Sequence, residues 1–362
     1  MRLLITYLLL LSISLGLNMN GFCSESHSGD DDFNTNELIM HHIKDSHDWN
    51  LFSYSKNGEK HQVAIPLPIV LIYDGKFDVF MSSEFNHGNA VVTKGDRNYI
   101  MHHEKIYLAN DAGALDFEKS DNGKEDKILN NKPYDFSITR NVAALFLTIG
   151  ILIWLFVGVA KSYKKRPGRP AGIQAFLEPL ILFVRDDIVL PNIGHRKYEK
   201  FLPYLLTVFF FILFSNVLGL IPFFPGGSNV TGNIAVTFIL ALITLILTNI
   251  NGNRSYWKHI FAAPGVPVWL YIVIIPVELI GIISKPFALM IRLFANITAG
   301  HIVVLSLVSL IFIFKTLWIS PVAVIFAVFM DVLELLVAFL QAYIFTILSA
   351  LFIGMAVQEE HH

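Results

Sequence analysis

The chain is poor in charge and in cysteine. Of its 362 residues only 15% are Asp, Glu, Lys or Arg, whereas 54% are hydrophobic, and the mean hydropathy is +0.55. Soluble domains carry roughly 25% charged residues, so this composition argues against a wholly water-soluble protein. The single Cys23 excludes an intramolecular disulfide framework and a multi-cysteine metal site. The sequence has no G-x-x-x-x-G-K-[ST] loop, so ATP chemistry is not expected on this chain.

The few charges are segregated along the chain. Residues 24–136 hold 20 acidic and 11 basic side chains, a net charge of −9, and the rest of the chain has a net charge of +7. We therefore predict an acidic domain over residues 24–136 and an apolar, basic membrane domain over residues 137–362. Because no soluble segment has a basic face, the sequence disfavours nucleic-acid binding.

The first 23 residues have the layout of a secretory signal peptide. Arg2 precedes the apolar run 3–17, and small residues follow at Gly21 and Cys23. This order predicts a signal peptide over residues 1–23. A retained membrane anchor and a lipid attached at Cys23 are the alternatives.

The acidic domain carries hairpin signals. Its hydrophobicity alternates with a period near two, and Asn57-Gly58 and Asp74-Gly75 separate apolar runs. We predict a small antiparallel β meander with strands near 49–55, 61–73, 76–82, 89–94 and 98–109. Pro66 and Pro68 are expected on an edge or at a break in a strand. The polar flanks 24–36 and 119–132 are predicted to be a flexible arm and a linker. The domain's histidines match no metal-ligand spacing, so we predict no metal or cofactor.

The membrane domain begins with an uncharged run at residues 142–160, which is long enough to cross a hydrocarbon core of about 30 Å. Five Lys and Arg residues follow within 161–169, so this loop is predicted to be cytoplasmic and the acidic domain to lie outside. Residues 176–200 suggest an amphipathic element at the cytoplasmic surface. Two further spans are predicted at 201–224 and 232–250.

Two apolar stretches close the chain, at 267–314 and 322–357, and each exceeds the ~20 residues of a crossing helix. Each is either two short spans or one long, strongly tilted helix. A charged side chain near a bilayer centre costs ~2.5–3.5 kcal/mol, so ionisable residues here indicate an ion or proton path. The two stretches contain six: Glu278, Lys285, Arg292, His301, Asp331 and Glu334.

Helical periodicity arranges these residues on faces. Glu278, Lys285 and Arg292 lie within about 40° of one line along a helix, whereas His301 points to roughly the opposite side from Arg292. Asn296 shares the face of Arg292. Lys285, which precedes a proline, is alternatively a side chain that extends to the membrane interface.

The last stretch carries a second polar stripe, formed by Asp331, Glu334 and Gln341. If the two stretches form a hairpin, His301 and Glu334 make an acid/base pair and Gln341 approaches Arg292. Asp331 is alternatively a boundary residue near the outer loop.

Arg292 differs from the other ionisable residues because its guanidinium stays protonated even in a poor dielectric. It is therefore unsuited to carrying a proton, but it attracts a carboxylate and blocks a bare cation. Glu278 lies about 21 Å away along a helix axis, too far to be its partner. We infer that the partner carboxylate belongs to another subunit.

Several motifs of the membrane domain have a familiar order and spacing. They are NVLGLIP at 216–222, SKP at 284–286, RLFANITAGH at 292–301 and LQAYIF at 340–345. Over roughly residues 140–358 the chain resembles subunit a of the F-type ATP synthase membrane sector. The resemblance implies a mainly α, polytopic membrane fold with two long, tilted C-terminal helices in a hairpin, here preceded by the small β domain.

The resemblance also implies a function: a non-catalytic stator subunit that translocates protons beside a rotating ring of c subunits. Arg292 would face the ring carboxylates. Asn296, His301, Glu334 and Gln341 would line or flank an outer half-channel, and Glu278 would mark the inner one. Asp331 and Lys285 are secondary candidates. The implied partners are the c-ring, the b-subunit peripheral stalk, the other synthase subunits and membrane lipid.

The implied location is a bacterial inner membrane, with the N-terminal domain periplasmic and the C-terminus cytoplasmic. One departure from the family is an exchange: familiar bacterial members have a glutamate where His301 stands and a histidine where Glu334 stands. The role of the β domain is not implied by the resemblance.

Two other function classes are alternatives. One is a self-contained secondary transporter, which predicts inverted repeats, and the other is an exported binding protein with a membrane anchor.

Overall fold

The computed structural model describes residues 45–56, 59–86, 88, 90–110, 113–118, 127–165, 172–221, 226–261, 267–314 and 319–358. The predicted signal peptide and the arm at 24–36 lie outside these residues and stay predictions. The chain divides into two compact units, each described by itself. One contains Met1–Ala144 with Pro222–Ser228, and the other contains Leu145–Ile221 with Asn229–His362.

The first unit is built from short antiparallel strands, which confirms a small N-terminal β region. The strands are β1 (Asp48–Lys56), β2 (Glu59–Pro66), β3 (Pro68–Tyr73), β4 (Lys76–Met81), β5 (Val92–Lys94), β6 (Arg97–His102), β7 (Lys105–Leu108), β8 (Phe117–Glu118), β9 (Lys127–Ile128) and β10 (Tyr134–Asp135). They form sheets in the orders β1-β2, β10-β3-β4, β5-β6-β7 and β8-β9. The predicted domain boundaries remain predictions.

Two of the predicted strands are each divided in the structure. The stretch 61–73 contains the end of β2 and all of β3, because Pro66 closes one strand and Pro68 opens the next. The stretch 98–109 contains β6 and β7, joined by a turn in which His103 and Glu104 have positive φ angles of 49° and 63°. Of the predicted linker 119–132, residues 119–126 lie outside the described residues, and residues 127–128 form β9 against β8.

The core of the β unit lies between β3, β4 and the β5-β6-β7 sheet. Leu71, Phe80 and Phe85 are among its buried side chains, and Tyr99 of β6 stacks on Phe80. The Tyr99 hydroxyl donates to Asp78 at 2.6 Å, and burial together with that carboxylate raises the pKa of Tyr99 to about 12.

The second part of the chain is almost entirely helical. Its helices are α1 (Arg140–Lys165), α2 (Ile173–Phe183), α3 (Leu190–Ile193), α4 (Tyr198–Leu220), α5 (Ile234–Ile250), α6 (Arg254–Phe261), α7 (Tyr271–Phe314) and α8 (Ile319–Val357). A π-helical turn, Val184–Val189, connects α2 to α3, and a short 3-10 turn, Val268–Leu270, precedes α7.

Four of the described helices, α1, α4, α7 and α8, are long and apolar enough to cross a membrane. The 17-residue α5 and the following α6 pass the same test together, but they are bent by 100° at the break between them. The two closing apolar stretches are single helices of 44 and 39 residues rather than pairs of short spans.

The core of the helical unit forms where α4 and α8 pack together with the α2 to α3 region. Phe209, Phe210 and Phe345 are buried there, and so are Ile188 and Val189 of the π turn. The segment predicted at 176–200 as a surface element is therefore packed into this core along one side. Its position relative to the membrane surface stays a prediction.

Candidate functional site

Two polar contacts join α7 to α8 in the helical unit. The side chain of Asn296 donates from Nδ2 to Gln341 Oε1 at 2.8 Å. His301 Nδ1 lies 3.5 Å from Glu334 Oε1. The four residues come from two helices that are each apolar over most of their length, so these contacts concentrate the polar groups along the line where the helices meet.

Glu334 is the most deeply placed acidic side chain of this set, with a side-chain exposure of 5%. Its Oε1 is buried and, within the part of the chain that the structure describes, accepts no hydrogen bond. At 3.5 Å the imidazole of His301 is beyond ordinary hydrogen-bond length. A small shift of either side chain would bring the two groups to hydrogen-bond distance.

A glycine provides the space for this carboxylate. Gly300 lies beside Glu334, and a Cβ added at Gly300 would be only 2.7 Å from Glu334 Oε1. Any larger residue at this position would therefore displace Glu334. Asp331 lies one turn before Glu334 on α8 and is half-buried.

Arg292 lies on an exposed face of α7. Ala295, Asn296 and Ala299 share that face, whereas Leu293 is fully buried on the other side. Among the residues that the structure describes, no acidic side chain forms an ion pair with the Arg292 guanidinium. The helix thus presents a permanent positive charge on an exposed face that also carries two alanines.

Lys285 and Glu278 lie nearer the N-terminus of α7. The Lys285 ammonium is 5.6 Å from the centre of the Phe352 ring on α8, which is cation–π distance. Lys285 also lines a cleft between α5, α6, α7 and α8, whose polar lining includes Thr248 and Tyr256. Glu278, about two turns earlier on α7, is half-buried.

The structure thus groups some of the predicted residues and separates others. It places His301 beside Glu334, and it joins Gln341 to Asn296 rather than to Arg292. Among the described residues no hydrogen bond joins Gln341 to Arg292, and the expected approach of these two side chains stays a prediction.

One polar residue was not among the predicted site residues. Asn216 of α4 is buried, accepts from the hydroxyl of Thr231 at 2.6 Å and donates to the Ala338 carbonyl of α8 at 3.3 Å. Ala338 is one turn from Glu334, so Asn216 links α4 to the polar region of α8. An asparagine inside an apolar span was the available signal for it.

Comparisons with known proteins cover both parts of the chain. The model of a family described as "ATP synthase A chain" matches residues 142–354. A second model, described as "Domain of unknown function (DUF8433)", matches residues 38–136.

Similar curated proteins bear the name ATP synthase subunit a. The protein from Chloroherpeton thalassium is 49% identical over 234 residues, which are 63% of this chain and 69% of that protein. The one from Chlorobium phaeobacteroides is 43% identical over 288 residues, which are 77% of this chain and 80% of that protein. The one from Myxococcus xanthus is 44% identical over 257 residues, which are 69% and 83% of the two chains.

Proposed function

The chain belongs to the ATP synthase subunit a family, and from this membership we propose that it is the stator subunit that conducts protons past a rotating c-ring. The membrane-sector role in proton translocation follows from the family in general, and the four apolar helices embed the chain in the membrane. One observation supports the roles proposed for individual residues. Two polar contacts join α7 to α8, and Arg292 lies close to them along α7, on an exposed face of that helix.

Arg292 is proposed as the charge that faces the ring carboxylates. Its guanidinium cannot release its proton, so it acts by attraction and not by relay. A charge at membrane depth is expensive without a partner, and the described part of this chain supplies no carboxylate to it. Ala295 and Ala299 leave the surface around it low, so a partner helix can approach closely.

The outer half-channel is proposed to run along the contacts of α7 and α8. His301 and Glu334 form an acid and imidazole pair at 3.5 Å that passes a proton inward. Asn296 and Gln341, bonded to each other, lie between that pair and Arg292 along the helices. Asp331, one turn from Glu334, is proposed to attract protons at the entrance.

The inner half-channel is proposed to pass Glu278 and the cleft beside Lys285. Thr248 and Tyr256 give this cleft polar groups near Lys285. The Lys285 ammonium favours ionised carboxylates nearby, which helps a proton to leave. Because Arg292 lies between the two paths, it blocks a direct leak of protons between them.

The mechanism is electrostatic. A ring carboxylate that has been protonated from the outer path is neutral and moves into lipid at low cost. Near Arg292 the ionised form is favoured, so the proton leaves by the inner path. The transmembrane potential supplies the drive, worth ~2.3 kcal/mol per charge per 100 mV. ATP synthesis itself takes place on partner subunits.

The membrane arrangement is part of the proposal. We infer that α7 and α8 form a tilted hairpin, because at 44 residues α7 is about 66 Å long and exceeds a core of about 30 Å. Lys164 and Lys165 close α1, so that end is assigned to the cytoplasm and the β domain to the outside. The c-ring and the b-subunit stalk are the proposed contacts within the complex. The comparisons do not support the alternative of a self-contained transporter.

The test is Arg292→Ala in the assembled complex. We expect proton-driven ATP synthesis in membrane vesicles to be abolished while the complex still assembles, because the lost group acts only on the passing ring. Arg254→Ala, at the exposed start of α6, is the matched control and should retain synthesis. Synthesis by the Arg292→Ala complex would contradict the proposal.

A further inference from the structure

The β10-β3-β4 sheet of the β unit has two faces of opposite character. One face packs into the core through Ile69, Leu71 and Phe80. The other carries large hydrophobic side chains that are between 41% and 76% exposed, and this set is named the apolar face: Phe77, Val79, Met81, Tyr134 and Phe136.

Strand register makes the apolar face continuous. Tyr134 of β10 pairs with Ile72 of β3, and Ile72 pairs with Phe77 of β4. In the next row Val70 of β3 pairs with Val79. Side chains in register on the same face are neighbours, so the surface is unbroken across three strands. Its rows contain no acidic or basic side chain.

The segment that connects the apolar face to the start of α1 is held by hydrogen bonds along its length. The backbone amides of Phe136, Ile138 and Arg140 donate in turn to carbonyl oxygens of the β unit, at 2.9, 3.0 and 2.8 Å. Asp45 accepts from the Thr139 hydroxyl at 2.7 Å, which fixes the residue just before the helix. The strand therefore continues by hydrogen bonds to the first residue of a membrane-spanning helix.

We propose that the apolar face rests on the lipid bilayer, in the leaflet where α1 begins. Arg140 is six positions after Tyr134, so at ~3.6 Å per residue Tyr134 lies within about 22 Å of the helix start. A surface of this kind marks an interaction site, and aromatic side chains favour the membrane interface.

Lipid fits this face better than a protein partner does. Protein interfaces carry about ten direct hydrogen bonds and a polar rim, whereas the rows of the apolar face offer almost only hydrocarbon and aromatic rings. The single hydroxyl, that of Tyr134, suits a ring with one end in lipid and the other in water. The hydrogen-bonded connection from β10 to the start of α1 keeps the apolar face close to the membrane that α1 enters.

Spin labels report this contact directly, because the chain has a single cysteine to remove. In a Cys23→Ser background, Phe77→Cys and Val79→Cys place labels on the apolar face. Thr93→Cys, exposed on β5 of another sheet, is the matched control. The labelled chain is measured in the assembled complex, in vesicles of phosphatidylcholine and phosphatidylglycerol, against oxygen, which enters lipid, and a nickel chelate, which stays in water.

We expect the labels at Phe77 and Val79 to collide preferentially with oxygen and the label at Thr93 with the nickel chelate. Equal preference at all three positions would overturn the proposal. Protection of the two face labels from both reagents would also overturn it, since it would mean that a protein covers the face. The readout does not depend on ATP synthesis, so it is separate from the proton-path proposal.

A second variant guards against distortion by the labels. Introducing Val79→Glu next to the Phe77→Cys label puts a charge on an exposed position, which the fold tolerates but lipid does not. The Phe77 label should then lose its preference for oxygen. If the preference is unchanged, the face is not held in lipid.

Discussion

The space that Gly300 leaves for Glu334 yields a sharp prediction. An alanine Cβ at Gly300 would lie 2.7 Å from Oε1, 2.8 Å from Cδ and 3.1 Å from Cγ of Glu334. Ordinary contact begins near 3.4 Å, so the carboxylate must move by about 0.7 Å. The buried position of Glu334 leaves it few ways to move without disturbing its neighbours.

The size of the effect follows from that displacement. Overpacking a filled site costs about 1–3 kcal/mol, partly offset because alanine favours a helix over glycine by about 1 kcal/mol. Assembly should therefore survive. A displacement near 1 Å in a proton-transfer geometry can cost about 100-fold in rate, so we expect Gly300→Ala to lower proton-driven ATP synthesis by about 10- to 100-fold.

The assay compares vesicles that contain equal amounts of assembled complex, as judged on native gels. Gly281→Ala is the control, because it lies on the same helix and an added Cβ there meets no described atom within 4 Å. Adding Glu334→Asp to Gly300→Ala shortens the displaced side chain and should recover part of the rate. If Gly300→Ala and Gly281→Ala vesicles synthesise ATP equally fast, the position of Glu334 does not control the proton path.

Two further predictions concern ionisable pairs. His301→Glu alone places two carboxylates side by side and should block proton-driven synthesis, whereas His301→Glu with Glu334→His restores one acid and one imidazole and should recover it; failure of the double variant in assembled complex would contradict the pairing. In the β unit, burial lowers the pKa of His47, but its 3.1 Å bond to Asp135 and the charge of that carboxylate outweigh this effect and raise it. For Asp135 the effects have the opposite sign. Burial raises its pKa, but the hydrogen bonds from His47 and Ser137 outweigh burial, so the pKa is lowered. The pair should therefore stabilise the unit most between the ordinary values of 3.8 and 6.5, and lose that contribution as pH rises through the pKa of His47 or falls through that of Asp135. Hydrogen exchange of β10 in the full chain, corrected for intrinsic rates, should show this maximum, and His47→Gln should flatten it.

The β region shows which local features a sequence reveals. Asp74-Gly75 predicted the turn between β3 and β4, and both residues have positive φ angles of 50° and 72°. The turn between β6 and β7 uses His103 and Glu104 in the same left-handed region. Glu104 does not signal such a turn, because side chains other than those of Asn, Asp and His rarely adopt that conformation.

The helical spacing of the polar residues predicted which of them share a face of a helix, but it did not predict which of them meet across two helices. The stripe of Glu334 and Gln341 follows from spacing alone, and both side chains are buried on α8. The same spacing placed Asn296 on the face of Arg292, but spacing within one helix does not show which side chain contacts a neighbouring helix. The hydrogen bond from Asn296 to Gln341 depends on how α7 and α8 are packed together, and this packing is seen only in the structure.

Arg292 and its neighbours combine two properties that point to the same partner. A permanent charge needs an opposite charge at membrane depth, and Ala295 and Ala299 keep the surrounding surface low. Small residues allow helices to approach closely in membranes, whereas a bulky rim would hold a passing carboxylate away. A carboxylate that stayed permanently paired could be bound equally well by an arginine buried in the packed interior. An exposed arginine among small residues suits a partner that arrives, binds and departs, as the proposed ring carboxylates would.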